Sequence, residues 1–205
     1  MSILSLKGYN LYLEKKHLLK DITIDINDGE RIGIIGKNGS GKTLLLRSIA
    51  GIYDYKNELK MIENFHFLSN PSTGILPLLK PKEACRRILA LNNQSNFDQN
   101  YFNQLMELFD LVRFENFYFK NLSQGYKLRL QIVIFLISNC SNLIIDEFIG
   151  YGDKFVRENL IEIIDNKFRK LNTLIVATHN WDLIKKFCNR VIHIDEGKII
   201  RDYKL

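Results

Sequence analysis

The sequence predicts an α/β fold, in which a mostly parallel sheet with flanking helices carries an N-terminal antiparallel β subdomain and an inserted helical subdomain. Short, nearly all-apolar runs such as Arg31–Ile35 are typical of buried parallel strands. Asp21–Ile26 alternates polar and apolar residues, as half-buried strands do. Residues 82–120 lack this alternation and look helical. We expect one domain over residues 1–205, with the core and β subdomain in 1–80 and 139–205 and the helical subdomain in 81–138.

The composition indicates an ordinary globular protein. Of its 205 residues, 46% are hydrophobic and 25% are charged. The net charge is +6, but the basic residues are scattered, which favours a solvated surface over a nucleic-acid site. The 3 cysteines are odd in number and lack metal-ligand spacing, so we expect reduced thiols. The sequence shows neither a signal peptide nor an apolar run of about 18 residues. We therefore expect the chain to work in the cytoplasm, alone or on a partner's surface.

The first elements are predicted to be strands. Residues 2–27 have strand character and end in the turn Asn27–Glu30, which precedes the buried strand Arg31–Ile35. Phe65–Leu68 is a further candidate strand.

The stretch after Arg31–Ile35 reads G-K-N-G-S-G-K-T and precedes an apolar helix. This is the P-loop pattern in its expected context, which predicts a P-loop NTPase core. Glycines let backbone N–H groups converge on phosphate oxygens, aided by the helix dipole. Lys42 can reach the β- and γ-phosphates, and the Thr43 hydroxyl can bind Mg²⁺. The alternative is a glycine-rich turn that binds nothing. The expected phosphate-binding residues are Gly36, Lys37, Asn38, Gly39, Ser40, Gly41, Lys42 and Thr43.

The helical subdomain is predicted from the next part of the chain. The helix after the P-loop should end near Ala50, with Gly51 at its C-terminal cap. All 3 prolines fall between residues 71 and 81, which marks a structural boundary. Beyond it, a polar break at 92–100 should separate two helices, and a further apolar helix is expected at Lys127–Ile137.

The core resumes with Asn142–Glu147, an apolar strand that ends in two carboxylates. Asp146 is placed to hold Mg²⁺, and Glu147 to polarise an attacking water as general base. The alternative is a solvated strand end that happens to carry two acids.

The last elements should complete the sheet. They are an amphipathic helix at 153–170, a buried strand at Thr173–Ala177, a helix at Trp181–Cys188 and a hairpin of Val191–Ile194 with Lys198–Ile200. His179 follows the buried strand, where it could contact the γ-phosphate; otherwise it is an ordinary surface-loop histidine.

A five-residue segment, L-S-Q-G-Y, opens the apolar helix of the inserted subdomain. Ser123 would make an ordinary N-cap for that helix, so the segment alone is weak evidence for function. It gains weight because it lies about twenty residues before the strand that ends in Asp146.

Together, G-K-N-G-S-G-K-T, L-S-Q-G-Y, L-I-I-D-E and A-T-H resemble the nucleotide-binding subunit of an ABC transporter over essentially the whole chain. The resemblance implies two subunits stacked head to tail, with each ATP between one P-loop and the partner's signature segment. Ser123 and Gly125 would contact the γ-phosphate across the dimer. Asp153 would be the D-loop aspartate, and Tyr12 the aromatic that stacks on adenine, with Tyr9 as an alternative. The signature residues are Leu122, Ser123, Gln124, Gly125 and Tyr126.

The resemblance also implies partners and cofactors. We expect ATP and Mg²⁺, a homodimer in the ATP-bound state, and an integral membrane permease that the chain meets on the cytoplasmic face of the membrane. We expect no nucleic acid.

Two departures from the family pattern bear on rate and coupling more than on ATP binding. The usual glutamine after the second core strand is missing, since no glutamine lies between Lys42 and Leu91. Asn70 offers the same amide on a shorter stem and is the candidate substitute as a metal-contacting residue. The signature ends in Gln124-Gly125-Tyr126 instead of the commoner G-G-Q.

The segment Glu147–Phe155 continues a D-E-x-x-x-x-G-D pattern that resembles ABC proteins exporting capsular polysaccharide, O-antigen or teichoic acid. Gly74–Leu79 resembles the corresponding loop of that branch. The chain stops at Leu205, so we expect no carbohydrate-binding domain in it. The alternatives are an ABC ATPase for another cargo, such as haem, lipid or peptide; a soluble ABC ATPase of DNA repair or translation; and a clamp that hydrolyses poorly.

Overall fold

The computed structural model describes residues 2–53, 65–69, 75–92, 94, 96–146, 163 and 166–205. The chain divides into two compact units. The first comprises the described residues of Met1–Leu68, Ser141–Glu147 and Lys170–Leu205, and the second those of Ser69–Cys140 and Phe148–Arg169.

The first unit begins with a long antiparallel hairpin of β1 (Ser2–Leu13) and β2 (Lys16–Asn27). Burial alternates along the second half of β2, with Ile22, Ile24 and Ile26 turned inward, as its sequence pattern predicts. The two residues of the connecting loop, Glu14 and Lys15, have φ of 47° and 65°. Positive φ at both positions suits the type I′ turn, whose twist matches paired strands.

A six-stranded sheet forms the centre of the first unit. Its strands lie in the order β4-β5-β6-β3-β7-β8, and all are parallel except β8, which runs antiparallel to β7. This arrangement confirms the predicted fold class. The six strands are β3 (Arg31–Ile35), β4 (Phe65–Leu68), β5 (Asn142–Asp146), β6 (Thr173–Ala177), β7 (Arg190–Asp195) and β8 (Lys198–Lys204).

Two helices of the first unit flank this sheet. α1 (Lys42–Ile49) buries Leu45, Leu46 and Ile49 in the main apolar core. It ends where expected, because Gly51 follows the C-cap with φ of 69°, a conformation that suits glycine. The other helix, Trp181–Phe187, is capped by the Asn180 side chain.

The regular secondary structure described in the second unit is all helical. α2 (Pro81–Leu91) and α3 (Gln99–Leu108) pack against α4 (Gln124–Ile137). Two short 3₁₀ turns, Val112–Phe114 and Phe119–Asn121, join α3 to α4. Every residue of α4 from 128 to 136 is buried, because this helix is apolar on most of its faces and forms the centre of the unit. Residues 166–169 of this unit are also helical. The helix Trp181–Phe187 of the first unit is named α5.

Several element boundaries differ from the sequence predictions. β7 spans Arg190–Asp195 instead of Val191–Ile194. α4 begins at Gln124, three residues before the predicted Lys127, because Ser123 caps the helix. β8 continues to Lys204 instead of Ile200, since it stays paired with β7 although its side chains are mostly exposed. α5 ends at Phe187, one residue before the predicted end. Among the described helices, none combines the length and apolarity needed to cross a membrane.

Candidate functional site

The P-loop connects β3 to α1, and the fold requires glycine at two of its positions. A Cβ at Gly36 would collide with the carbonyl oxygen of Ile194 in β7. Gly41 has φ of 108° directly before α1, a backbone conformation that L side chains rarely adopt. No side chain caps α1, so its first N–H groups face the loop as donors for an anion.

Lys42 is held inside this loop. Its side chain is buried, and Nζ donates hydrogen bonds to the carbonyl oxygens of Gly36 at 2.9 Å and Lys37 at 3.0 Å. Phosphate oxygens would compete for the same donor, because an ammonium group binds anions more strongly than neutral acceptors. The loop therefore presents a positive charge at the start of a helix.

The Thr43 hydroxyl and the Asp146 carboxylate meet. Thr43 Oγ1 donates to Asp146 Oδ1 over 3.1 Å, although the two residues are 103 positions apart. Hydroxyl and carboxylate oxygens are the hard ligands that Mg²⁺ prefers, with water and substrate phosphates supplying the rest. The donor set thus fits Mg²⁺. No cluster of three or more His, Cys, Asp or Glu residues lies within the described ranges, so no fully protein-built metal cage is found there.

His179 reaches the P-loop from the end of β6, the strand that lies between β5 and β3. Its Nε2 lies 3.1 Å from Oδ1 of Asn38, a residue of the loop. Because an amide oxygen only accepts, Nε2 carries the proton in this contact. The imidazole is therefore fixed beside the phosphate-binding loop, which is where the sequence interpretation expects it.

The sheet order explains why these residues converge. β5, β6 and β3 are consecutive parallel neighbours, so their carboxyl ends lie along one edge of the sheet. Asp146 ends β5, His179 follows β6, and the P-loop follows β3. In open parallel sheets, ligands bind outside the carboxyl ends of the strands.

The β7–β8 turn also contacts the P-loop, and sequence reasoning missed this contact. The Gly197 N–H donates to the carbonyl oxygen of Ser40 at 2.9 Å, and the Gly197 carbonyl accepts from Lys20 in β2 at 2.8 Å. The sequence marks Gly197 only as a turn residue, because no local pattern signals a bond to a loop so far away. The Ser40 hydroxyl is buried without a hydrogen-bond partner among the described residues, so it is a donor left for a ligand.

The structure separates the two candidate aromatic residues of β1. The Tyr9 ring packs against the main core, and its hydroxyl accepts from Ser48 Oγ of α1 at 3.3 Å. Burial raises the pKa of Tyr9 above its usual value. Tyr12 is 60% exposed and its ring stacks on His17. Of the two, Tyr12 is therefore the ring with a face open to a base.

The signature segment lies in the second unit, at the start of α4. Ser123 Oγ accepts from the Tyr126 N–H at 3.4 Å, so it is the N-cap of the helix. In Leu122–Tyr126, only Leu122 is buried; Ser123 and Gln124 are exposed, and the remaining two are half-buried.

The Tyr126 side chain fixes this helix start to the preceding 3₁₀ turn. Its ring centroid lies 4.2 Å from that of Phe114, and the guanidinium of Arg129 lies 4.9 Å from the ring. Its hydroxyl is hydrogen-bonded to Arg113. Tyr126, one of the two residues that depart from the commoner signature, is therefore part of the packing of this unit.

Three predicted site residues, Glu147, Asp153 and Asn70, lie outside the described residues. Their roles as general base, D-loop aspartate and metal-contacting amide stay predictions. The same holds for the segments Glu147–Phe155 and Gly74–Leu79 as branch markers, apart from the described part of the latter.

A family model described as "ABC transporter" matches residues 19–150, which is more than half of the chain. This chain belongs to the ABC transporter family. The match contains the P-loop, the signature segment and β5. Membership confirms the predicted enzyme class, an ATPase of the ATP-binding cassette type.

Similar curated proteins include both importers and exporters. The methionine import ATP-binding protein MetN of Clostridioides difficile is 28% identical over 97% of this chain and 67% of its own length. The teichoic acids export protein TagH of Listeria monocytogenes is 29% identical over 88% of this chain and 54% of its own. The O-antigen export protein RfbE of Yersinia enterocolitica is 28% identical over 90% of this chain and 78% of its own length. The chain thus spans between about half and three quarters of these relatives, and identity does not separate export from import.

Solved structures agree on the fold. A dimeric ATP-binding cassette in a post-hydrolysis state with ADP and phosphate bound has a TM-score of 0.77 at 20% identity, covering 98% of both chains. An ATP-binding subunit of an ABC transporter has a TM-score of 0.76 at 20% identity, covering all of this chain and 90% of its own.

Proposed function

We propose that this chain is the ATP-hydrolysing motor subunit of an ABC transporter. The observation that carries the proposal is the contact of Thr43 with Asp146 at the edge of the sheet where Lys42 and His179 also lie. A hydroxyl, a carboxylate and an ammonium group at the start of a helix are the groups that a Mg²⁺–triphosphate complex requires.

Binding would exploit groups that are already in place. The phosphate oxygens would replace the carbonyl oxygens of Gly36 and Lys37 as hydrogen-bond acceptors of the Lys42 ammonium group. They would also accept hydrogen bonds from the N–H groups at the start of α1. Thr43 and Asp146 would hold Mg²⁺, which supplies neutralisation of phosphate charge when bound. The loop would lose little entropy on binding, because its backbone is held by β7 and by the β7–β8 turn.

For hydrolysis we assign two residues. Glu147, next to Asp146, would accept a proton from the attacking water. His179 would donate a hydrogen bond to the γ-phosphate from Nε2, the atom that now contacts Asn38. This exchange of acceptor would let the imidazole respond to the presence of the terminal phosphate.

We further propose that the site is completed by a second copy of the chain. Ser123 and Gly125, at the start of a helix, would offer a hydroxyl and a backbone N–H group to the γ-phosphate of the partner's ATP. Asp153 would lie at the dimer contact, and Asn70 would reach the metal in place of the missing glutamine. An integral permease in the membrane, met from the cytoplasmic side, would receive the resulting movement.

For cargo, we propose export of a cell-surface polysaccharide or glycolipid. The support is the D-E-x-x-x-x-G-D pattern from Asp146 to Asp153 and the similarity to TagH and RfbE, whose names state export of teichoic acids and O-antigen. The similarity to MetN makes import of a small molecule the outcome to test against.

The motor assignment is tested by ATP hydrolysis of the purified chain and of its Glu147→Gln variant. We expect slow turnover in the wild type, and in the variant a loss of turnover together with an ATP-bound dimer that elutes early on gel filtration. Glu107→Gln, on the exposed face of α3, is the matched control and should behave as wild type. Unchanged turnover and unchanged dimerisation in Glu147→Gln would show that another group is the base.

The partner and cargo are tested in cells. The chain should sediment with membranes and co-purify with an integral protein, and its deletion should deplete a surface glycopolymer. Loss of methionine uptake with an intact surface polymer would replace export by import. Binding to nucleic acid with a steep salt dependence would instead indicate a soluble ABC ATPase.

A further inference from the structure

We propose that His17 is a positioning residue for the nucleotide base, acting through the ring of Tyr12. The inference rests on the proposed function, because it requires that Tyr12 stack on the base of a bound nucleotide. It concerns a residue to which neither the sequence motifs nor the family match gives a role.

The two rings form a stack on the hairpin surface. Tyr12 and His17 are paired directly across β1 and β2, and their ring centroids lie 4.2 Å apart with an angle of 12° between the planes. Directly opposed residues of an antiparallel pair have Cβ atoms about 4.5–5.5 Å apart on one face, so side chains can meet in this way. One face of the Tyr12 ring is stacked on His17, and the residue remains 60% exposed.

The His17 ring is itself fixed. Its Nε2 lies 2.8 Å from Oδ1 of Asn10, which also accepts from the Asp21 N–H at 3.0 Å. Asn10 Nδ2 donates to the carbonyl of Gly8 at 2.8 Å. The backbone partners at both ends of the amide determine its orientation, so the oxygen faces His17 and Nε2 must be the donor. The imidazole plane is therefore set by the backbone of β1 and β2.

The hairpin places this stack beside the P-loop. A Cβ placed on Gly41, the last residue before α1, would lie 3.2 Å from the Leu19 side chain, so β2 passes close to the P-loop. His17 precedes Leu19 by two residues on the same strand, which corresponds to about 7 Å of strand. A nucleotide with its phosphates in the loop thus has the Tyr12–His17 stack within reach of its base.

The consequence is a three-layer stack of His17, Tyr12 and base. An exposed tyrosine on a strand normally samples several χ1 rotamers, and binding must restrict it to one. His17 restricts the Tyr12 ring before the nucleotide binds, so less side-chain entropy is lost on binding. This contribution exists only for ligands that carry a base.

The test compares ligands with and without a base on the full chain. By calorimetry, His17→Ala should weaken ADP binding by about two- to tenfold, the range expected for one aromatic pair. The affinity for inorganic tripolyphosphate should not change. His17→Phe keeps a flat ring against Tyr12 and should restore ADP affinity to within about twofold. His17→Gln keeps a donor for Asn10 without the ring and should behave as His17→Ala.

Two further variants separate this inference from the proposed function. Tyr12→Ala should weaken ADP but not tripolyphosphate, and His17→Ala in the Tyr12→Ala background should add nothing. If Tyr12→Ala weakens ADP and His17→Ala does not, the positioning role is overturned and the base contact stands. If Tyr12→Ala leaves ADP affinity unchanged, both the base contact and the positioning role fall. If the wild type binds neither ligand, the proposed function itself fails. Thermal unfolding and Lys7→Ala, an exposed substitution on β1, control for damage to the hairpin.

Discussion

Thr43 and Asp146 are joined by a hydrogen bond of 3.1 Å between hydroxyl and carboxylate, across 103 positions of sequence. One residue starts a helix and the other ends a strand two places along the sheet. The contact exists because parallel strands end at a common edge, and it assembles two oxygen ligands suited to Mg²⁺.

Removing the Thr43 hydroxyl should therefore affect only the metal complex of the nucleotide. We expect Thr43→Val to weaken Mg²⁺–ATP binding by about 10- to 100-fold, since hydrogen bonds to charged groups contribute about 1.5–3 kcal/mol. ATP binding in EDTA should be nearly unchanged. The measurement is titration calorimetry with and without Mg²⁺.

A second threonine offers a matched control for this substitution. The Thr173 hydroxyl is buried in β6 without a hydrogen-bond partner among the described residues. Thr173→Val should leave both affinities as in the wild type and should not lower stability. Equal losses with and without Mg²⁺ in Thr43→Val would mean that Thr43 supports the loop and not the metal.

Lys42 should be needed for more than local binding. If the site is completed by a second copy, Lys42→Ala should abolish both ATP binding and ATP-dependent dimerisation, because the ATP that links the copies is lost. Gel filtration with light scattering in the Glu147→Gln background measures this without ATP turnover. Lys198→Ala, an exposed lysine of β8, should dimerise normally. A Lys42→Ala protein that still dimerises on adding ATP would contradict the composite site.

The sequence predicts the strands that carry the candidate site better than it predicts the contacts between the residues at their ends. The apolar runs of β3, β5 and β6 are buried on both faces, so their bounds and the polar residues at their ends could be read directly. The hydrogen bond between His179 and Asn38 could not be predicted from the sequence, because packing selects it from many contacts possible along one sheet edge.

The choice between Tyr9 and Tyr12 shows a second limit. β1 has register shifts on both sides of Leu11, so simple alternation does not tell which side chains of this strand turn inward. The full length of β8 was missed for a related reason. Its side chains are mostly exposed, so its sequence lacks the burial pattern of a strand, and its length is defined by pairing with β7.

Gly197 should be intolerant of a side chain. Its φ is 76°, and a Cβ would collide with the carbonyl oxygen of Leu18. Gly29 is a matched control, because its φ is 79° but a Cβ there would meet nothing within 4 Å. In urea unfolding, Gly29→Ala should cost about 1 kcal/mol from backbone strain alone. Gly197→Ala should cost about 3 kcal/mol or more, since the turn must also move away from β2.

The same pair of variants tests the brace on the P-loop. Displacing Gly197 breaks its bond to the Ser40 carbonyl, so Gly197→Ala should also weaken tripolyphosphate binding, whereas Gly29→Ala should not. Similar losses of stability in the two variants would show that strain, and not the close approach to Leu18, determines the effect.

Ser123 allows the helix cap and the proposed phosphate contact to be separated. Its Oγ caps α4, so Ser123→Ala should lower the free energy of unfolding by about 1 kcal/mol. Ser123→Gly should cost only a few tenths of a kcal/mol, because glycine is itself tolerated at the N-cap. Both variants lack the hydroxyl that would reach the partner's ATP. If that contact matters, two properties should fall equally in both variants: ATP turnover with Glu147 intact, and ATP-dependent dimerisation in the Glu147→Gln background. Monomer affinity for ADP should stay unchanged. If the loss of turnover instead follows the loss of stability, with Ser123→Gly close to wild type, Ser123 serves only as a helix cap.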